Sequence, residues 1–196
     1  MSALDLAHPL AFAPRGRLGA RTDAPLIVSM PPREIVQVMV RRGQGIPFAA
    51  AMRDGFGIEP PGPGHATTGE AVTAIWVQPG QWFLVAPRGA EGGLAARAQA
   101  ALGALATVTD QSHGRTTITL SGTMAREALS HGCRLDLHPR AFGPGRAANT
   151  VIAQIGCLLH QADAAPSFEL TVFSTLAEPF LHWLLDAAAP FGVEVA

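Results

Sequence analysis

The sequence predicts an α+β fold made of two ferredoxin-like βαββα halves packed as a pseudo-duplication. Segments in which β-branched residues alternate with period two give way repeatedly to segments with apolar residues at helical spacing. The order strand, helix, strand, strand, helix is met once in residues 34–105 and again in residues 106–190. Apolar residues make up 48% of the 196 positions, enough for a genuine core behind both halves. The duplication is one of element order, because the halves share no convincing residue identity. The expected division is an extended N-terminal arm at 1–25, a first α+β half at 26–105 and a second at 106–196.

Residues 1–25 carry Pro9, Pro14, Pro25 and Arg15-Gly16-Arg17 without sustained periodicity, which predicts an extended arm or loop, and such arms often lie on partners. Leu26–Ser29 and Glu34–Arg41 are β-rich, and in the second Ile35, Gln37 and Met39 alternate with Val36, Val38 and Val40. Pro47–Phe56 spaces Phe48, Ala51, Met52 and Gly55 as a short helix, with Pro47 suited to its first turn. Residues 59–70 combine repeated Pro and Gly with no apolar anchor, which predicts a mobile surface loop. Val72–Trp76 and Trp82–Ala86 form a hairpin around Gln78-Pro79-Gly80-Gln81, whose Pro-Gly step favours a type II turn. A helix over Ala90–Leu105, with Leu94, Ala98, Ala101, Leu102 and Leu105 on one face, closes the half.

The second half opens with strands at Ala106–Asp110 and Thr116–Leu120 and a helix at Thr123–His131 that Gly132 stops. A Pro- and Gly-rich linker, 139–145, leads to one strand from Thr150 to His160, a break at Asp163–Pro166 and a strand at Phe168–Phe173. The last helix, Thr175–Ala189, turns Leu176, Phe180, Trp183, Leu184 and Ala187 inward. Thr175 and Glu178 read as a capping box, or Pro179 marks the first turn.

Composition narrows the function. Charged residues are 15%, against about 25% in ordinary domains, so disorder is excluded and the thin charged surface suits a chain that neighbours cover. Net charge is -1 and all 14 basic residues are Arg, so no basic field attracts nucleic acid. With no Lys, Schiff-base chemistry and a P-loop lysine are excluded. Cys133 and Cys157 form neither a CxxC pair nor a disulfide framework, which suits a reducing compartment and makes the cytoplasm the default. The first 30 residues show no signal-peptide pattern, and no apolar run reaches about 18 residues, so neither secretion nor a membrane span is expected.

Catalytic templates fail in turn. Gly43-Gln44-Gly45-Ile46-Pro47 meets neither the P-loop nor the dinucleotide fingerprint, and no G-x-S-x-G elbow occurs. Asp110, Ser112 and His113 are crowded together as in a polar strand connection. His131, Cys133 and His138 offer three zinc-ligand types without paired spacing or a fourth. The expectation is therefore no catalytic, cofactor or metal residue on this chain. The same segment has a structural reading, with Cys133 buried, Leu135 and Leu137 anchoring a turn and Asp136 accepting hydrogen bonds. It also has a recognition reading, in which Arg134, Asp136, His138 and Arg140 supply charged contacts and Phe142 an apolar anchor. His8, His65, His160 and His182 read as surface or satisfied histidines, and Trp76, Trp82 and Trp183 as core.

Gly132-Cys133-Arg134-Leu135-Asp136-Leu137-His138-Pro139-Arg140-Ala141-Phe142 resembles the hallmark segment of the gamma subunit of heterotetrameric bacterial sarcosine oxidase. Val38-Met39-Val40-Arg41-Arg42-Gly43, the Trp76–Pro87 hairpin and Phe180-Leu181-His182-Trp183-Leu184-Leu185 follow in that family's order. His131 and Arg134 depart from its pattern, where Lys and a smaller residue or proline are expected. The resemblance implies a fold like the folate-binding domain of aminomethyltransferases. It implies a noncatalytic subunit of a complex that oxidatively demethylates sarcosine to glycine, yielding formaldehyde or methylene-tetrahydrofolate and hydrogen peroxide. FAD, FMN, NAD and tetrahydrofolate are then expected on partner subunits, the alpha, beta and delta chains, with no nucleic acid or membrane partner. The alternatives are an independent folate-binding aminomethyltransferase-like enzyme with a cleft between its halves, and a free-standing folate-dependent repair factor.

Overall fold

A strand buried on both faces must lie inside the molecule, and the alternating residues Ile35, Val36 and Val38, all buried, require that of the first long strand. The computed structural model, which describes residues 15–89 and 93–196, places it accordingly. The elements are β1 (Gly16–Leu18), β2 (Leu26–Ser29), β3 (Arg33–Val40), α1 (Gly45–Phe56), β4 (Ala66–Thr68), β5 (Thr73–Gln78), β6 (Gln81–Pro87) and α2 (Leu94–Leu102). They continue with β7 (Ala106–Asp110), β8 (Arg115–Ser121), α3 (Ala125–Ser130), β9 (Ala147–Ile152), β10 (Ile155–Gln161), β11 (Ser167–Phe173), α4 (Ala177–Ala188) and β12 (Val193–Val195).

The strands form a five-stranded sheet, β4-β5-β6-β3-β7, and a seven-stranded sheet, β1-β12-β2-β8-β11-β10-β9, antiparallel except for the β12–β2 pair. Val36 and Val38 face α1 and α2 across a core with Phe48, Met52, Leu94 and Leu102. On the seven-stranded sheet, Leu120, Phe168 and Leu170 pack with Leu129 of α3 and Phe180 and Leu184 of α4. A third cluster holds no helical residue: Ile35, Ile75, Phe83 and Val85 of one sheet meet Ala147 and Leu158 of the other. The molecule is thus a mixed α/β fold of four layers, helices outside and two sheets within.

Pairing differs from the expected division at two strands. Residues 106–110, expected to open the second half, pair with β3 in the five-stranded sheet. Residues 26–29, expected in the first half, pair with β8 and β12 in the seven-stranded sheet. Each strand joins the core its apolar side chains fill: Ala106 lies beneath α2, whereas Leu26 and Val28 lie in the α3–α4 core.

Other expectations are corrected locally. Part of the expected arm, Gly16–Leu18, is an edge strand on β12, while residues 1–14 lie outside those described, as do 90–92 at the expected start of the second helix. The expected loop at 59–70 does have anchors, since Pro61 is buried, its carbonyl accepts the Trp82 indole N–H at 2.9 Å, and residues 66–68 pair with β5. The single strand expected over 150–160 is a hairpin, β9–β10, turning through Ala153 (φ 49°) and Gln154 (φ 66°). Both central residues have the positive φ of a type I′ turn, which Asn and Gly usually announce. The capping box does not form: Leu176 occupies the N-cap of α4 without a side-chain bond, and Ser174–Leu176 is a 3-10 turn. The start of α2 is held instead by Glu34, whose carboxylate accepts the Leu94 N–H.

Candidate functional site

The segment that follows α3 alternates between anchors and exposed polar residues. Gly132 passes so close to α4 that a Cβ there would overlap the six-membered ring of Trp183. Cys133, Leu137 and Phe142 are buried in the core, and Cys133 also bridges to Ile152. Between them Arg134, Asp136, His138 and Arg140 carry the polar side chains, all four of them exposed.

The polar stretch is self-braced. Asp136 Oδ1 accepts the His138 N–H at 2.9 Å, and His138 Nδ1 accepts the Arg140 N–H at 3.2 Å. The His138 carbonyl accepts from the backbone N–H groups of Ala141 and Phe142 at 2.8 and 2.9 Å. From beneath, Arg126 of α3 donates to the carbonyls of Leu137 and Phe142, the latter at 2.9 Å, and to Gln161 Oε1 at 2.8 Å. Its guanidinium lies 5.3 Å from the centre of the Phe168 ring, and burial pulls its pKa down. One cation therefore fixes the second half of the loop, from Leu137 to Phe142, from the inside.

A pocket of about 350 Å³ opens beside this loop, near the lower end of the range for small-molecule sites. Leu135, Asp136 and Phe142 form one wall, Arg146 and Ala147 another, and Trp76 of the five-stranded sheet a third. Arg146 Nη1 lies 2.9 Å from His65 Nε2, and His65 Nδ1 lies 2.9 Å from the Pro63 carbonyl. An Arg only donates, so this network assigns the proton of a neutral His65 to Nδ1. The floor is apolar and the rim charged, which suits an inserted side chain better than bond-making chemistry.

The other residues singled out in the sequence are placed as follows. Phe142 is 5% exposed, so it is a core residue that tethers the loop and not a surface anchor, which corrects the recognition reading at that position. Cys133 and Cys157 are free thiols whose burial pushes both pKa values up, away from nucleophile or ligand behaviour. His131 stacks on Phe191 at 6.1 Å, and among the described residues no group of three His, Cys, Asp or Glu side chains could hold a metal ion. Ser112 Oγ donates to Asp110 Oδ1 at 2.6 Å, and this bond, with that from the Ser112 N–H, holds the Asp110 carboxyl below the usual range. His160 is satisfied by Glu169 at 3.2 Å. Arg126, Arg146 and Gln161 carry no sequence signal, because their roles depend on contacts between distant elements. No helix among the described residues is long and apolar enough to cross a membrane.

Comparison with known proteins bears on all of this. The sarcosine oxidase, gamma subunit family matches residues 42–190. Sarcosine oxidase subunit gamma of Corynebacterium sp. (strain P-1) is 36% identical over 161 residues, which cover 81% of this chain and 78% of that one. The subunit gamma of Arthrobacter sp is 39% identical over 129 residues, 65% of this chain and 62% of the relative. Among solved structures, a chain of the heterotetrameric sarcosine oxidase from Corynebacterium sp. U-96, in complex with pyrrole 2-carboxylate, superposes with a TM-score of 0.77 at 27% identity. That match covers 89% of this chain and 88% of the other.

Proposed function

The chain belongs to the sarcosine oxidase, gamma subunit family, and from that premise we propose that it is a noncatalytic subunit that helps to assemble and shape a heterotetrameric sarcosine oxidase. The observation that carries the reading is the likeness, over nearly the whole chain, to a subunit of such a heterotetramer. The partners are then the alpha, beta and delta subunits, and FAD, FMN, NAD and tetrahydrofolate reside on them. The complex converts sarcosine to glycine, with formaldehyde or methylene-tetrahydrofolate and hydrogen peroxide as co-products. A charged content of only 15% supports a surface that neighbours cover, and the two inert thiols support a cytoplasmic setting.

Within this reading Arg134, Asp136, His138 and Arg140 dock a larger subunit, and the pocket beside Trp76 receives one of its side chains. Phe142 and Arg126 hold the loop from inside. The chain reads as two related halves, because the orders β4-β5-β6-β3-β7 and β9-β10-β11-β8-β12 correspond once β2 is recognised as an insertion between β8 and β12.

Co-expression of a tagged chain with the alpha, beta and delta subunits tests the proposal. The expected result is co-purification as one complex that carries flavin and turns over sarcosine, with neither property in the chain alone. Sarcosine turnover or a tightly held flavin in the lone polypeptide, or failure to co-purify, overturns it. Micromolar tetrahydrofolate binding by the isolated chain in a calorimetric titration favours the independent-enzyme alternative.

A further inference from the structure

At the far end of the β8–β11 ladder from the pocket, Arg115 stands directly opposite Phe173. Its guanidinium lies 4.0 Å from the centre of the Phe173 ring and 5.1 Å from that of Phe83, so it is clamped by one aromatic ring from each sheet. Among the described residues no carboxylate pairs with it. The ion pairs there engage Arg17, Arg33, Arg53 and His160, and the Arg115 Nε is buried without a hydrogen-bond partner. Burial is the cause that lowers its pKa, with no acidic group acting in the other direction. A desolvated cation without a counter-charge is a cost to the lone chain that an incoming carboxylate removes.

The surroundings suit a protein segment. Phe173 is 48% exposed, Leu176 on the next turn 39%, and Val151 on the edge strand β9 50%. Gly156, opposite Val151 on β10, has open space where a Cβ would project, which leaves a notch in the row. A small anion would leave these apolar side chains wet, whereas a chain segment covers them while its carboxylate meets the guanidinium fork. Aromatic rings and a pre-positioned Arg are the composition of interface hot spots, and a clamped fork loses little further entropy on pairing.

We propose that Arg115, Phe173, Leu176 and Val151 form a second docking surface, which receives an acidic segment of a larger subunit with its Asp or Glu carboxylate on Arg115. The proposal rests on the assembly reading above. The Arg115–Phe173 end of the surface lies about 17 Å along β11 from Phe168, by the rise of a strand, while Val151 adjoins Ile152, which bridges to Cys133, so the surface extends the docking face from the Gly132–Phe142 loop to a second point.

The test measures binding of the purified chain to a sarcosine oxidase assembly prepared without it. Wild type is compared with Phe173→Ser, Arg115→Gln and Val151→Glu. The expected losses of affinity are about thirtyfold for Phe173→Ser and about tenfold for each of the other two. Val151→Glu alters an exposed position and adds a charge that repels the proposed acid, so it reports on docking even where the Arg115 variant folds poorly. A photo-crosslinking residue at 173 should capture an Asp- or Glu-containing peptide of a larger subunit. Wild-type affinity in Phe173→Ser and Val151→Glu, or capture of a second copy of this chain or of a peptide without an acid, overturns the proposal while leaving the assembly reading intact. If the wild-type chain itself fails to bind, the assembly reading is what falls.

Discussion

At Gly132 the absence of one carbon decides how the chain leaves α3. A Cβ there would collide with the Trp183 ring, so Gly132→Ala should cost about 1–3 kcal/mol, read as a lower urea midpoint. Ten residues on, Phe142→Ala should cost about 3–5 kcal/mol because a buried ring leaves a cavity in the α3–α4 core. Arg134→Ala and Arg140→Ala should behave differently. Both side chains are exposed, so stability should stay within about 0.5 kcal/mol of wild type while affinity for the larger subunits falls. Equal losses of stability and affinity in these two variants would remove their docking role. Polarity makes the exposed residues legible from the sequence. Phe142 is not, because an aromatic after a polar run reads equally as an anchor facing in or out, and only the position of Arg126 and the carbonyls it holds turns the ring inward.

Among the elements, the sequence conceals the short strands β1 and β4 and also the β9–β10 hairpin. Its turn residues Ala153 and Gln154 lack the Asn and Gly that meet little strain at positive φ, so an unbroken strand is the natural reading. An Ala153→Asn, Gln154→Gly double variant should therefore stabilise the chain by about 1–2 kcal/mol, seen as a higher thermal midpoint. No gain would mean that the turn is held by its surroundings and carries little strain. The Pro79-Gly80 turn shows the opposite case: Gly80 sits at φ 73°, as a type II turn requires, and the expected hairpin forms. The start of α4 departs from expectation for a third reason. Thr175 and Glu178 have capping-box spacing, but the 3-10 turn at Ser174–Leu176 moves the N-cap onto Leu176.

Across the whole molecule the two sheets are tied by an ion pair as well as by apolar contact. Arg33 of β3 donates to Glu169 of β11 at 2.8 Å, and His160 approaches the other carboxylate oxygen. Burial alone would push the Glu169 carboxyl up, but the His160 hydrogen bond and the charges of His160 and Arg33 outweigh it and hold the pKa below the usual range. A depressed folded pKa means a contribution that is complete above the unfolded value of about 4.3 and is lost as pH falls through the folded value. Glu169→Gln should lower stability by about 2–3 kcal/mol near neutral pH, and the gap to wild type should close on acidification below about pH 4. A gap independent of pH would show that the carboxylate charge is not what joins the sheets. The mixed α/β class, most strands and all four helices follow from the sequence alone, because hydrophobic period and turn chemistry are local properties of the chain. Which sheet receives β2 and β7, where Phe142 points and how Arg115 and Arg126 are held are decided only in the tertiary structure. Those outcomes depend on which distant surface fills a given core and where a buried cation finds its acceptors, and neither is encoded in neighbouring residues.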